Sequence, residues 1–355
     1  MNLAHIAWKS IRQRALASSL TALGVALGVM LMIAVIVIFS IVQRTFSQQS
    51  FGYEIVIGPK GNDLQLVMST VYRLTPASDT LPYKYFKEFE NDPLVRDAVP
   101  ITVGDFTKPE EGSFPIVGTN KRYFELPYAP EKSFQLKKGS NVFRDPFDAI
   151  IGHDVARTND WTFGSQFQLV HGGAESDHVH DEKFTVVGIL APTGTPNDKT
   201  VFLHLNGFFA IAGHDKTLRE VLQKDRDFFG PNEDNAPLDD PEWLRTRGGR
   251  HEHHHGPIPD LHKSVSAIFL NLKRPPGVDD FDPSPQAIPY ARGISSRPQA
   301  IAINPIRPME RLMSNFVGPT RMLLSVLTGL IIVVSGVGIF VSIYNSMSDR
   351  RREIA

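Results

Sequence analysis

Seven of the twelve histidines in this 355-residue chain fall in two short stretches. His171, His178 and His180 flank a glycine-bearing loop, and His251, His253, His254 and His255 crowd a polar stretch farther on. Neutral imidazole is the commonest ligand for zinc and similar divalent metals. If the backbone is extended, the run His178-Val179-His180 projects both imidazoles to one side. Asp177, Asp181, Glu182 and Glu252 stand near enough in sequence to complete a metal site, so zinc is the one cofactor this pattern suggests. The same residues equally make up a solvated polar loop, and both readings stand at this level.

Catalytic chemistry finds less support. No H-E-x-x-H helix is expected, because the one match to those letters, His251 to His255, falls in the polar stretch read as a loop, and no G-x-S-x-G elbow is present. The run from His178 begins like the H-x-H-x-D-H of metallo-β-lactamases, but Glu182 and Lys183 occupy the places of its Asp and His. G-x-x-x-x-G-K-[ST] is missing too, so a nucleotide cannot be cradled in that way. The pairs Asp239-Asp240 and Asp279-Asp280 lie in proline-rich stretches, where solvated carboxylates are the simpler reading. With no cysteine there are no disulfides, thiolate sites or cysteine nucleophiles. The expectation is a protein that is not an enzyme. A net charge of −1 and a pI near 6.9 argue against a nucleic-acid partner, which would call for a basic face.

The elements that hold these residues begin with the two ends of the chain. Met322 to Ser348 carries no charge, and then Asp349-Arg350-Arg351-Arg352-Glu353 arrives at once. As a helix that run is about 40 Å long, enough to cross a hydrocarbon core of roughly 30 Å. The arginines mark its cytoplasmic end. At the other end, residues 1–14 place Leu3, Ile6, Ala7 and Ile11 at helical spacing opposite Lys9, Arg12 and Arg14, a basic amphipathic helix for the cytoplasmic membrane surface. Ala15 to Gln43 is again free of charge. A signal peptide has an apolar core of only about 7–15 residues, and the A-x-A match Ala15-Leu16-Ala17 precedes this run, so it reads as a retained span. Gly24 and Gly28, with Ser325, Gly329, Gly336 and Gly338 in the second span, are small residues that let helices approach closely.

Residues 44–320 then lie outside the cytoplasm. Strand signals fall at Tyr53–Ile57, Val99–Val103, Phe114–Val117, Ala149–Ile151, Phe167–Val170, Phe184–Leu190, Val201–Leu203 and Ala267–Leu272. Helical spacing appears at Tyr83–Asn91, Leu205–Ala212, Leu218–Lys224 and Pro308–Asn315. Irregular interspersion of the two predicts an α+β class: two transmembrane α-helices flanking a large extracytoplasmic mixed α/β domain. The expected organisation is a cytoplasmic helix 1–14, spans at 15–43 and 321–348, and an outer domain 44–320. The start of a coupling segment follows at 349–355. A polar, His-rich insertion, read as a long loop with little to bury, occupies about 225–265, and Pro275–Pro308 reads as partly extended.

The string GLIIVVSGVGIFVSIYNSMSDRRREIA resembles the second transmembrane helix of FtsX-like and MacB-type ABC transporter permeases. There a glycine-rich span runs into an R-R-x-E-I-G segment, and Arg351, Arg352, Glu353 and Ile354 fit that pattern. SSLTALGVALGV is similar to the family's first span, and GPKGNDLQLVMSTVYRL and PIVGTNKRYFEL to its periplasmic core. The resemblance implies a multi-pass permease subunit of the cell (inner) membrane, embedded in lipid. It pairs with a cytoplasmic ABC ATPase at Arg351–Ile354 and with a second permease copy or a sister permease. It further implies mechanotransmission, in which ATP-driven movement of the spans reshapes the outer domain. Family members carry two more spans after the coupling segment, so the chain looks truncated there. A two-span receptor or sensor, and a membrane-anchored zinc-binding component, share the topology and stay open as alternatives.

Overall fold

The computed structural model describes residues 15–46, 52–170, 179–211, 217–247, 258–274 and 284–354. The chain divides into two compact units, one made of Met1–Ser47 with Met309–Ala355, the other of Gln48–Pro308.

In the first unit, Ala15–Phe46 is one helix of 32 residues. The other helical path has three pieces, Ile306–Leu312, whose first three residues belong to the second unit, a π-helical turn at Met313–Val317, and Gly318–Ile354. Two candidate membrane spans, Ala22–Val42 and Ile306–Val341, lie on these helices. Leu27, Met30, Ile33, Ile38, Val333 and Phe340 are all exposed. A helix apolar on every side that leaves such residues uncovered is matched to lipid rather than water.

The second unit is α+β, built on an eleven-stranded sheet. Nine of its strands form the main path. In chain order they are β1 (Ile55–Pro59), β2 (Val95–Thr107), β3 (Pro115–Thr119), β4 (Leu136–Gly139), β5 (Asp148–Ile151), β6 (Phe184–Leu190), β7 (Val201–His204), β8 (Ala267–Leu272) and β9 (Ala300–Ile303). Their order across the sheet is β9-β1-β8-β2-β3-β7-β5-β6-β4. Only β3 with β7 and β5 with β6 run parallel along that path. The thirteen-residue β2 joins the halves, pairing with β8 through Val95–Ile101 and with β3 through Thr102–Phe106.

Each half buries its own core. In one, Phe86 and Phe89 of the amphipathic helix Tyr83–Glu90 pack with Ile55, Ile57, Ile268 and Leu270. In the other, Ile116, Ile151, Phe167, Phe184, Val201 and Phe208 close together. β8 is buried on both faces along its whole length, which is why it reads as a continuous apolar run broken only by Asn271.

Two stretches differ from the sequence expectation. The polar stretch from Asp225 is folded at least to Arg247: helix Leu218–Phe229 runs past Lys224, and Pro241–Thr246 is helical. Its polar residues bond to one another. Buried Asp225 accepts hydrogen bonds from Asn232 and Asn235, both at 2.8 Å, and Arg226 pairs with Asp239 at 2.8 Å. Within Pro275–Pro308, Ala287–Ser295 is a helix burying Ala287, Ala291 and Ile294, and Ala300–Ile303 is an edge strand. Pro289 does not prevent that helix because it sits in the first turn, where the backbone N–H has no intrahelical partner.

Candidate functional site

Gly24 and Gly28 of the first helix lie against Ser335 and Ile332 of the second. Gly24, Val25, Gly28, Met32, Ala34, Val35, Phe39 and Val42 are the shielded positions among the described residues of the first helix, one face of it suited to two helices packed together. A methyl group built on Gly24 would lie 3.2 Å from Ser335 Oγ, and one on Gly28 3.1 Å from Ile332 Cγ1. At both positions an added methyl would be a tight contact that the neighbouring side chain must give way to by a few tenths of an ångström. Ser325 and Gly338 are half-shielded, as is Gly329. At Gly329 and Gly336 an added methyl would meet nothing within 4 Å, and Gly336 lies on the exposed side. Arg351, Arg352, Glu353 and Ile354 form the last turn of helix Gly318–Ile354.

Of the candidate metal ligands, His171, Asp177, His178, His251, Glu252, His253, His254 and His255 lie outside the described residues. His180 is described, and it is fully interior. Its Nε2 sits 3.2 Å from Asp105 Oδ2, with the two side chains 0% and 1% exposed. Its backbone N–H donates to the Leu169 carbonyl at 2.9 Å, fastening the returning chain beside β2. Asp181 is exposed and Glu182 half-buried. Among the described residues no group of three His, Cys, Asp or Glu is placed to hold a metal ion.

A polar centre that the sequence did not announce lies around Arg73. Asn62 caps helix Asp63–Thr70, its Oδ1 accepting from Leu64 N at 2.9 Å and Gln65 N at 3.1 Å. The helix ends with Tyr72 N–H donating to Val67 O at 3.1 Å and Leu74 N–H to Met68 O at 2.9 Å, on either side of a left-handed residue. That residue is Arg73, with φ at 58°, where glycine is usual. A side chain there costs of order 1–3 kcal/mol unless its surroundings hold it. They do: Arg73 is 7% exposed, and Nη1 donates to Asn197 Oδ1 at 2.9 Å and Thr200 Oγ1 at 2.8 Å. Nη2 donates to the Tyr123 hydroxyl at 2.7 Å, and the guanidinium lies 5.1 Å from the Phe202 ring centre.

Beside this centre opens a shallow cleft, walled by Tyr53, Tyr123, Leu126, Tyr128, Phe134 and Asn197 among others. Gly52 closes one wall, because a methyl group there would fall 1.7 Å from the Pro127 carbonyl oxygen. Burial first, then the neighbouring Tyr123, pushes the Tyr53 hydroxyl well above its ordinary pKa, so it stays neutral. Arg73 falls within a string whose resemblance was noted above, but no local signal ties it to Asn197 and Thr200, 124 and 127 residues away.

Comparison with known proteins places the chain. The family model of the MacB-like periplasmic core domain matches residues 18–227, more than half of the sequence. Among solved structures, the chain is similar to the periplasmic region of MacB from Actinobacillus actinomycetemcomitans. That match has 10% identity and a TM-score of 0.38, covering 74% of this chain and 95% of that one. It is also similar to the extracellular domain of the noncanonic ABC-type transporter YknZ from Gram-positive bacteria. Here identity is 12% and the TM-score 0.35, with 71% of this chain and 99% of that one covered. No curated protein sequence matches it. The chain belongs to the MacB-like periplasmic core domain family of ABC transporter permeases, as a membrane protein whose extracytoplasmic domain is flanked in sequence by two candidate membrane helices.

Proposed function

We propose that this chain is a permease subunit that turns ATP hydrolysis by a separate cytoplasmic ATPase into movement of its extracytoplasmic domain. The observation that carries this reading is the helical path from Ile306 to Ile354, which holds the second candidate span and ends in the basic turn Arg350–Ile354. A helix is stiff, so displacement of its cytoplasmic end is delivered along its length. The π-helical turn at Met313–Val317 is a local underwinding of the helix, and helices kink at such turns. Lys9, Arg12, Arg14 and Arg350–Arg352 suit a cytoplasmic location for both ends, beside anionic lipid headgroups. Gly329 and Gly336, open on this chain, suit the approach of a second copy or sister permease.

The test uses the permease reconstituted with its ATPase. Arg352→Ala and Glu353→Ala should each lower transport-coupled ATP hydrolysis severalfold while the protein still inserts. Pairing of the spans is monitored separately by cysteines replacing Gly24 and Ser335. A Cβ on Gly24 lies 4.0 Å from Ser335 Cβ, within the reach of a disulfide, and the native chain has no cysteine to interfere. Uncoupling with the cross-link still formed supports contact with the ATPase at this turn. Unchanged coupling in both variants leaves these charges as topology anchors only.

A further inference from the structure

We propose that the cleft beside Arg73 is a binding site for a ligand carrying a carboxylate or similar anion on a small apolar body. The inference goes beyond the coupling function and does not depend on it. It begins from a charge imbalance. Arg73 is almost fully buried, its Nε has no hydrogen-bond partner, and among the described residues no carboxylate forms an ion pair with it. Asp198, the acid next to Asn197, is already committed. It accepts from Thr193 N and Oγ1 at 2.7 and 2.8 Å and from Gly194 N at 2.7 Å. Neutral dipoles and ring faces repay only part of the desolvation of a buried cation, so an anion arriving at an adjacent wall is favoured.

The hydrogen bonds carry that charge to the cleft. Asn197 Oδ1 receives both Arg73 Nη1 and the Tyr123 hydroxyl, the latter at 2.6 Å. Two donors on the oxygen fix the amide orientation, so Nδ2 is turned away from Arg73. One of its protons goes to Thr195 Oγ1 at 2.9 Å; the second is available to a ligand. Thr195 and Asn197 both line the cleft. An amide polarised by a guanidinium behind it is a stronger donor than an ordinary one, and strongest toward an anion. The remaining walls, Tyr53, Leu126, Tyr128 and Phe134, suit an apolar or aromatic body. A cation would meet the field of Arg73 with the wrong sign, and a neutral molecule would gain nothing from it.

Saturation-transfer NMR on the full chain in neutral phosphatidylcholine nanodiscs tests this, with empty discs subtracted. The probes are phenylbutyrate, phenylbutanol, phenylbutylamine and inorganic phosphate. Phenylbutyrate should bind at least about tenfold tighter than the other three. Arg73→Gln should remove that preference, and Tyr128→Ala, at a half-exposed wall residue, should weaken phenylbutyrate with the fold kept. Equal binding of acid, alcohol and amine overturns the role of Arg73, as does unchanged acid binding in Arg73→Gln. Phosphate binding as tightly as phenylbutyrate overturns the apolar half of the site, and no binding of phenylbutyrate at millimolar concentration overturns the whole.

Discussion

Asp97 and Arg73 are both charged groups buried in the outer domain, and the fold treats them in opposite ways. Asp97, on β2, is 4% exposed and is given two cations. Arg96 Nε donates to it at 2.9 Å, Arg122 Nε at 3.1 Å, and Arg122 Nη2 forms a further short bond. Arg73 is given neutral oxygens and ring faces. The two centres even share an element, since Arg122 of the short helix Arg122–Glu125 serves Asp97 while the next residue, Tyr123, serves Arg73. Where a charge is matched within the chain, its chemistry is used up in holding the fold together. Where it is left unmatched beside an open cleft, it remains available to something that arrives from outside.

The largest expected effect is at the matched centre. Asp97→Ala removes the acceptor of three charge-assisted bonds and of a contact from Asn271 Nδ2 at 3.3 Å. It should cost about 2–3 kcal/mol, limited because Arg96 and Arg122 are partly exposed and can rehydrate. Urea unfolding followed by tryptophan fluorescence measures it, and a loss below about 1 kcal/mol would put the two centres on a par. The pH dependence sharpens the same point. Burial raises the Asp97 carboxyl, but Arg122 and Arg96 more than offset this and hold it below the usual carboxylate value. A lowered folded pKa stabilises above the unfolded value of about 3.9 and loses that contribution as pH falls through the folded value. The gap between wild type and Asp97→Ala should therefore be flat from neutral pH down to about 5 and narrow below about 4.

How far such centres can be read in advance depends on how local their causes are. The spans are legible because an uncharged run as long as Ala15–Gln43 or Met322–Ser348 has one cheap solution. Phe184–Leu190 and Ala267–Leu272 are legible as apolar runs of strand length. Helix Asp63–Thr70 is only eight residues long and depends on the Asn62 cap, so no long periodic pattern announces it. Arg73 is harder still. Asn197 and Thr200 come from the stretch just before β7 and Tyr123 from the short helix after β3, two stretches at opposite ends of a parallel strand pair. The imidazole of His180 was visible in the sequence, but its neighbour Asp105 lies on a distant strand and no spacing rule connects them.

A smaller effect is expected where the two centres meet. Tyr123→Phe keeps the ring, which is packed against Phe124, Phe134 and Phe202, and removes only the hydroxyl. Arg73 Nη2 loses its acceptor and Asn197 Oδ1 loses one of two donors, for about 1 kcal/mol. The Arg122–Asp97 bonds should be untouched, so the loss should be the same at pH 7 and pH 4. A loss that changes between those values would show that the centres are electrostatically joined through the short helix.

The smallest effect should come from removing the unmatched charge itself. Arg73→Met keeps most of the buried volume and the left-handed backbone, and deletes the cation. Each former partner keeps another bond: the Tyr123 hydroxyl still donates to Asn197 Oδ1, and the Thr200 hydroxyl still donates to the Pro196 carbonyl at 2.8 Å. Against the lost bonds stands the desolvation of the guanidinium, which no carboxylate offsets. Replacing a buried charge by an apolar side chain of similar size is often neutral or stabilising for that reason. The net change in unfolding free energy should thus lie within about 1 kcal/mol of zero, in either direction. Urea unfolding of Arg73→Met and Asp97→Ala side by side is the decisive pair of measurements. A loss at Arg73 as large as that at Asp97 would mean that its neutral partners satisfy the cation as fully as arginines satisfy the carboxylate. The contrast between a charge spent on folding and a charge held in reserve would then fail.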